Sequence, residues 1–199
     1  MPRPLCQQCL RPPRVCYCHT ITNIGNRWPV YILQHPKETS HAIGTARIAQ
    51  LSLQHCQTVI AEVPEDNQLF AEQITQTQPL LVYPGKQSQP VIELDKQAIQ
   101  PLLFLDGSWR KTRRMLHESD LLANLPKITM PMPVSRYKIR KEPIPEAVST
   151  VEAIAEVLST LEGDKKKYQP LLNSMDWMIS QQIEQMGPDT YQNNYTDKN

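Results

Sequence analysis

The chain has 199 residues, with 21 Lys and Arg against 20 Asp and Glu, a formal net charge of +1, and 18 prolines against 6 glycines. That length allows one domain with a proper hydrophobic core and a small attachment. No apolar run approaches the ~20 residues of a membrane span, and the N-terminus lacks the apolar core of a signal peptide, so we expect a soluble, cytoplasmic protein. The sequence does not settle the oligomeric state, for which we expect a monomer.

Charge is distributed unevenly along the chain. Residues 1–60 hold six Lys or Arg and one acidic residue, and residues 107–141 hold nine and two, whereas the segments 61–106 and 142–199 are acidic. Two basic segments that merge on one surface would bind phosphate groups. The alternative is an ordinary solvated surface.

Four of the five cysteines lie in the first 18 residues, at Cys6, Cys9, Cys16 and Cys18. Two close pairs joined by a short loop are typical of a tetrahedral zinc site, and cytosolic proteins rarely form disulfides. We therefore predict a closed, structural zinc site, with a reversible disulfide or free thiols as the alternatives. His19, which follows Cys18 directly, could replace one of the cysteines as a ligand.

Apolar runs alternate with amphipathic segments along the rest of the chain. Strands are predicted at 29–35, 58–63, 79–83, 102–105 and 127–130. Helices are predicted at 44–53, 67–75, 95–100, 109–117, 149–161 and 170–186. Ser149 and Glu152 form a capping-box pattern, and Gly163 is placed to end that helix. The alternation predicts an α/β fold with a parallel sheet and helices on both faces.

The segment Leu102–Arg114 carries the clearest functional pattern. A buried strand ends at Asp106, and Gly107 and Ser108 lead into a basic amphipathic helix. Ligands of open α/β sheets bind at the carboxyl ends of the strands, which places Asp106 where chemistry occurs. The alternative is a helix N-cap worth about 1 kcal/mol, a role that Ser108 could share.

The helix after Asp106 has one basic face. Arg110, Arg113, Arg114 and His117 recur at the i, i+3, i+4, i+7 spacing of a single helical face. Such a face suits a nucleic-acid backbone or, alternatively, plain solvation.

The chain lacks both GxGxxG and P-loop motifs, which argues against a dinucleotide fold, a kinase-like enzyme and the common methyltransferase fold. Three other loops fall at predicted strand or helix ends, at residues 83–85, 106–109 and 148–152. Backbone amides at such ends can hold adenine and a carboxylate.

Taken together, these segments resemble the DTW-domain family, the tRNA-uridine aminocarboxypropyltransferases. The family's Asp-x-Thr-Trp signature stands here as Asp106-Gly107-Ser108-Trp109, with Ser in place of the usual Thr, so the hydroxyl is kept. Gly44 is a second departure, since relatives more often carry Asn there. The other matching segments are the cysteine cluster, His35-Pro36-Lys37-Glu38, Thr45-Ala46-Arg47-Ile48, Leu81-Val82-Tyr83-Pro84-Gly85, Ser135-Arg136-Tyr137-Lys138-Ile139-Arg140 and Ser149-Thr150-Val151-Glu152-Ala153.

The resemblance implies a SPOUT-like knotted fold with a small N-terminal zinc-binding module. We expect this module at residues 1–27, a DTW α/β catalytic domain at 28–187 and a polar tail at 188–199. The resemblance also implies S-adenosylmethionine as co-substrate. Its 3-amino-3-carboxypropyl group would move to N3 of a tRNA uridine with release of methylthioadenosine.

The resemblance also suggests residue roles. Asp106 would be the general base, because the neutral uracil imide is a poor nucleophile, and Ser108 and Trp109 would complete the catalytic set. The predicted cofactor-binding residues are Leu81, Tyr83, Pro84, Gly85, Asp106, Gly107, Ser149, Thr150 and Glu152. The predicted RNA-binding residues are Arg110, Arg113, Arg114, Arg136, Lys138, Arg140 and Lys141. The competing interpretations are a SPOUT-like RNA methyltransferase and a non-catalytic, zinc-containing RNA-binding module.

Overall fold

The computed structural model describes residues 4–39, 44–85, 87–130 and 148–187. Six strands form one sheet in the order β2-β1-β5-β3-β6-β4, and every neighbouring pair is parallel. The strands are β1 Val30–Gln34, β2 Cys56–Ile60, β3 Leu80–Val82, β4 Gln89–Pro90, β5 Leu102–Asp106 and β6 Lys127–Thr129. The predicted parallel α/β sheet is therefore confirmed.

Helices cover both faces of this sheet. They are α1 Ala46–Ser52, α2 Gln68–Thr77, α3 Trp109–Glu118, α4 Asp120–Asn124, α5 Thr150–Glu162 and α6 Lys165–Met186. Strand side chains alternate between the faces: Ile32 and Phe104 pack with α1, α5 and α6, whereas Leu33 and Leu103 pack with α2, α3 and α4. None of the helices within the described ranges is long and apolar enough to cross a membrane.

The capping chemistry of α5 is as predicted. The Ser149 hydroxyl accepts a hydrogen bond from the Glu152 backbone N–H, and the Glu152 carboxylate accepts one from the Ser149 N–H. Gly163 ends the helix with a φ of 70°, in the left-handed region that favours glycine.

Three predicted elements differ from the structure by more than two residues, and two observed elements, β4 and α4, were not predicted. Residues 95–100 form a turn, not a helix, with Ala98 N–H donating to the Asp95 carbonyl. Strand β2 begins two residues before the predicted start and ends three residues before the predicted end, because it pairs with β1 from Val30 opposite Cys56 to Gln34 opposite Ile60. Helix α6 begins at Lys165, where the Asp164 side chain caps the Lys167 N–H at 3.0 Å. Pro170, the predicted first residue of this helix, therefore lies inside α6.

The N-terminal segment packs against the α1, α5 and α6 side of the sheet. Cys9 and Tyr17 are buried in the same core as the strands. The Arg47 side chain of α1 donates two hydrogen bonds to the Gln8 carbonyl, at 2.9 and 2.6 Å, and Ser174 of α6 donates one to the Thr20 carbonyl. These contacts hold the cysteine-bearing segment on the domain.

Candidate active site and metal centre

The four N-terminal cysteines form one compact cluster. Their sulfur atoms all lie within 4.8 Å of one another, and the Cys6–Cys18 and Cys9–Cys16 Sγ pairs are each 3.6 Å apart. Tetrahedral zinc with Zn–S bonds near 2.3 Å places its sulfurs about 3.8 Å apart. The donor set therefore fits a metal of the zinc type, and no disulfide joins these four cysteines.

Local backbone groups favour the thiolate at one of these positions. The N–H groups of Cys9 and Gln8 lower the pKa of the Cys6 thiol to about 6, whereas burial raises the pKa of Cys9 and of Cys18. The His19 ring packs edge-on against Trp177 of α6 at 4.6 Å. Since four thiolates complete a tetrahedral shell, such a centre supports structure and does not expose the metal to a substrate.

Asp106 lies at the carboxyl end of β5 and is only 7% exposed. Its Oδ2 accepts a hydrogen bond of 2.7 Å from Gln34 Nε2, and Gln34 is its register partner on β1. Its Oδ1 accepts one of 2.5 Å from the Thr150 hydroxyl at the start of α5. Two donors thus hold the carboxylate in one orientation.

A cleft opens beside Asp106, over the ends of β3, β5 and β6 and the start of α5. We call it the Trp109 cleft; its empty volume is about 750 Å³ including the part open to solvent. It is lined by Val82, Tyr83, Pro84, Phe104, Leu105, Gly107, Trp109, Thr112, Ile128, Thr129, Met130, Val148, Thr150 and Ala153. This mixture of apolar walls with a few polar groups is typical of a small-molecule site.

Two aromatic rings form one wall of the Trp109 cleft. Tyr83 and Trp109 pack edge to face with centroids 5.9 Å apart. Burial raises the pKa of Tyr83, so its hydroxyl stays protonated at neutral pH and can act as a hydrogen-bond donor.

Gly107 permits a close approach between the strand end and the first turn of α3. A Cβ at this position would lie 3.3 Å from the Lys111 Cβ and 3.5 Å from the Thr112 Cγ2. The next residue, Ser108, is the N-cap of α3, but its side chain makes no capping hydrogen bond. Ser108, and not Asp106, is therefore the N-cap residue of α3.

The predicted cofactor-binding residues fall into two groups. Tyr83, Pro84, Gly107 and Thr150 line the Trp109 cleft. Leu81 is fully buried in the core on the α2, α3 and α4 side. The others that are not in the lining are Asp106, which lies beside the cleft at the end of β5, Gly85, which is exposed, and the capping residues Ser149 and Glu152.

The basic face of α3 is present and exposed. Arg110, Arg113 and Arg114 are all solvent-exposed, and Arg114 Nε bonds the Glu118 carboxylate at 2.7 Å. Lys111 is turned elsewhere, toward Glu38, at 2.6 Å. The remaining predicted RNA-binding residues lie outside the described residues, and they are Arg136, Lys138, Arg140 and Lys141.

Two site residues were missed by sequence reasoning. Gln34 ends β1 just as Asp106 ends β5, and a polar residue closing an apolar run was the available signal. His35 follows it and is 5% exposed; its backbone N–H donates to the Asp106 carbonyl at 3.0 Å. Its Nδ1 accepts from the Lys37 N–H at 3.1 Å, so the ring shapes the turn that follows β1.

A buried carboxylate at the carboxyl edge of a parallel sheet, beside an aromatic-walled cleft, defines an α/β enzyme-type site. Comparison with models of known protein families identifies the family. The family model described as the DTW domain matches residues 3–183 of this chain. The chain therefore belongs to the DTW-domain family.

Curated relatives agree with this assignment. The tRNA-uridine aminocarboxypropyltransferase 2 of Drosophila melanogaster is 29% identical over 190 residues, which cover 90% of this chain and 75% of the relative. The Mus musculus protein of the same name is 27% identical, covering 92% of this chain and 64% of its own. The Arabidopsis thaliana tRNA-uridine aminocarboxypropyltransferase A is 22% identical, covering 87% and 78%. No solved structure matches the chain.

Proposed function

We propose that this protein transfers the 3-amino-3-carboxypropyl group of S-adenosylmethionine to N3 of a tRNA uridine. The supporting observation is Asp106, a buried carboxylate fixed by Gln34 and Thr150 within the family's signature segment. Relatives named for this activity match most of the chain.

The donor would bind in the Trp109 cleft. The apolar and aromatic walls suit an adenine ring, and the Thr150 hydroxyl and the protonated Tyr83 hydroxyl suit its polar groups. Gly107 lines the cleft, and a Cβ at this position would crowd the first turn of α3. When bound, S-adenosylmethionine supplies a sulfonium that activates the adjoining methylene carbon toward a nucleophile.

Asp106 would act on the acceptor. The uridine N3 gives its proton to the carboxylate and forms a bond to the methylene carbon, while the carbon–sulfur bond breaks and its electron pair stays on sulfur. Because Gln34 and Thr150 fix both oxygens of Asp106 in advance, little reorientation is needed at the reacting position.

Other parts of the chain would hold the RNA and support the fold. We assign the exposed face formed by Arg110, Arg113 and Arg114 to tRNA phosphates. The four-cysteine cluster would hold a structural zinc that fixes the N-terminal segment against α1 and α6. We further propose the SPOUT-like knotted topology for this domain and a cytoplasmic monomer as its working form.

The test is a reaction of purified protein with S-adenosylmethionine and unmodified tRNA, followed by nucleoside mass spectrometry. We expect aminocarboxypropyluridine together with methylthioadenosine. A methylated nucleoside with S-adenosylhomocysteine would contradict the transfer chemistry. No modified nucleoside on any tRNA, with no binding of S-adenosylmethionine by calorimetry, would contradict the enzyme assignment itself.

A further inference from the structure

A second cleft lies on the same face of the sheet, over the ends of β1 and β2 and under the N-terminal segment. We call it the Tyr17 cleft, and its empty volume is about 1360 Å³ including open solvent. The lining residues used below are Arg11, Tyr17, Gln34, Arg47, Thr58 and Ile60. It is distinct from the Trp109 cleft, and the two share no lining residue.

Two lining residues of the Tyr17 cleft carry buried hydroxyls without a partner. Tyr17 is 0% exposed, and neither its hydroxyl nor the Thr58 hydroxyl bonds any group in the described part of the chain. Buried polar atoms are nearly always hydrogen-bonded. A bound molecule with carbonyl acceptors would supply the missing partners.

The charge around this cleft favours an anion. Arg47 is held rigidly by the Gln8 carbonyl at 2.6 Å, and the hydrogen bond of Arg11 within the described ranges goes to the Met178 sulfur, a weak acceptor. The acidic residue in the lining, Glu38, is paired with Lys111. Two arginines therefore line the cleft together with an acid that is already paired, a combination that suits a phosphate.

Asp106 connects the two clefts. Gln34, which lines the Tyr17 cleft, donates to Oδ2, and Thr150, which lines the Trp109 cleft, donates to Oδ1. In a two-substrate transfer the acceptor nitrogen must reach both the general base and the donor carbon, so the two substrates must meet beside the base. Asp106 lies between the two clefts.

We infer that the Tyr17 cleft binds the acceptor nucleotide, a uridine turned out of the RNA stack, while the Trp109 cleft binds the donor. This inference rests on the proposed function. The uracil carbonyls accept hydrogen bonds from the Tyr17 and Thr58 hydroxyls, and Arg11 binds the adjoining phosphate. A turned-out base is the usual form in which enzymes reach an atom of a nucleobase.

Photocrosslinking locates the RNA without requiring turnover. The full chain is mixed with tRNA transcribed with 4-thiouridine, irradiated at long wavelength, digested and mapped by mass spectrometry. We expect crosslinked peptides from residues 11–17 or 56–60. Crosslinks confined to α3 or to residues of the Trp109 cleft would overturn the inference.

Two variants with matched controls test the same point in kinetics. Loss of one hydrogen bond in Tyr17→Phe should raise the KM for tRNA about fivefold, and the new charge in Ile60→Glu should raise it about tenfold by repelling phosphate. Tyr168→Phe makes the same deletion at another fully buried tyrosine, and Ile92→Glu adds the same charge at another exposed isoleucine, 67% exposed against 57% for Ile60. Both controls should leave this KM unchanged.

Binding of S-adenosylmethionine, measured by calorimetry, should be unchanged in all four variants. An unaltered KM for tRNA in Ile60→Glu would overturn the inference even if Tyr17→Phe fails to fold, because Ile60 is exposed. If the unaltered protein transfers the group but crosslinks elsewhere, the inference fails alone. If it transfers nothing, the proposed function fails, and crosslinks in residues 11–17 would still identify an RNA-binding cleft.

Discussion

The four-cysteine cluster and the Asp106 site are built from the chain in opposite ways. All four thiols lie between Cys6 and Cys18, and the N–H groups that favour the Cys6 thiolate come from the same short segment. Asp106 is held instead by Gln34 and Thr150, which are 72 and 44 residues away in sequence. The first site is specified by local spacing, and the second exists only once the sheet has assembled.

This difference predicts different consequences of mutation. Loss of a cysteine should weaken the folded state, because the cluster fixes a segment that buries Cys9 and Tyr17. Loss of a functional group at the Asp106 site should impair chemistry while the fold persists, because the strands there are held by apolar packing on both faces. The four substitutions below test this separation in order of decreasing effect.

Asp106→Asn should give the largest effect. Replacing the carboxylate by an amide removes the proposed base, and we expect kcat to fall by about 10² to 10⁴. The midpoint of thermal unfolding should change little, because Asn keeps the shape and one acceptor oxygen. Asp120→Asn, at the exposed first turn of α4, is the matched control. Turnover by Asp106→Asn close to that of the unaltered protein would rule out the base role.

Cys16→Ser should act on stability. Three thiolates and a hydroxyl bind zinc poorly, so we expect loss of one bound zinc per chain and a fall in the unfolding midpoint on the order of 10 °C, equivalent to several kcal/mol at this size. Cys56→Ser is the control, since Cys56 lies outside the cluster and burial raises the pKa of its thiol to about 12. Metal analysis and thermal unfolding measure both variants. If the wild-type protein freed of zinc unfolds at the same midpoint as the zinc-loaded protein, the structural role of zinc is refuted.

Local chemistry explains what the sequence could predict. The end of β5 at Asp106 follows from an apolar run that meets a polar turn, and the limits of α5 follow from the Ser149 cap and Gly163, where cap chemistry is local. The cysteine cluster is likewise readable from spacing. These features need no knowledge of distant partners.

Long-range packing explains the features that the sequence could not predict. The pairing of Gln34 with Asp106 depends on β5 lying next to β1, and the order of strands in a parallel sheet is set by crossovers that leave no local pattern. Leu81 shows the same limit at the scale of one residue: it packs against the α2 to α4 side, while its neighbour Val82 lines the Trp109 cleft. A helix start was expected at Pro170, but α6 begins at Lys165 because the Asp164 side chain caps it there.

Thr150→Val should have an intermediate effect. It removes the hydroxyl that bonds Asp106 Oδ1 without changing the side-chain shape, and loss of one hydrogen bond to a charged group should lower kcat about tenfold. Thr150→Ser keeps the hydroxyl and should restore most of this loss. If Thr150→Ser is as slow as Thr150→Val, or if only the KM for S-adenosylmethionine changes, Thr150 shapes the cleft and does not position Asp106.

Arg113→Ala should give the smallest effect and acts far from the chemistry. The exposed guanidinium of Arg113 is assigned to a tRNA phosphate, so its removal should weaken tRNA binding about threefold and reduce the slope of log affinity against log salt by about one. Filter binding across a salt series measures both quantities. Lys166→Ala removes an exposed charge at the start of α6 and should change neither. If the two variants show equal slopes, the basic face of α3 contributes only general charge, and specific phosphate contacts must be sought around the Tyr17 cleft, where Arg11 and Arg47 lie.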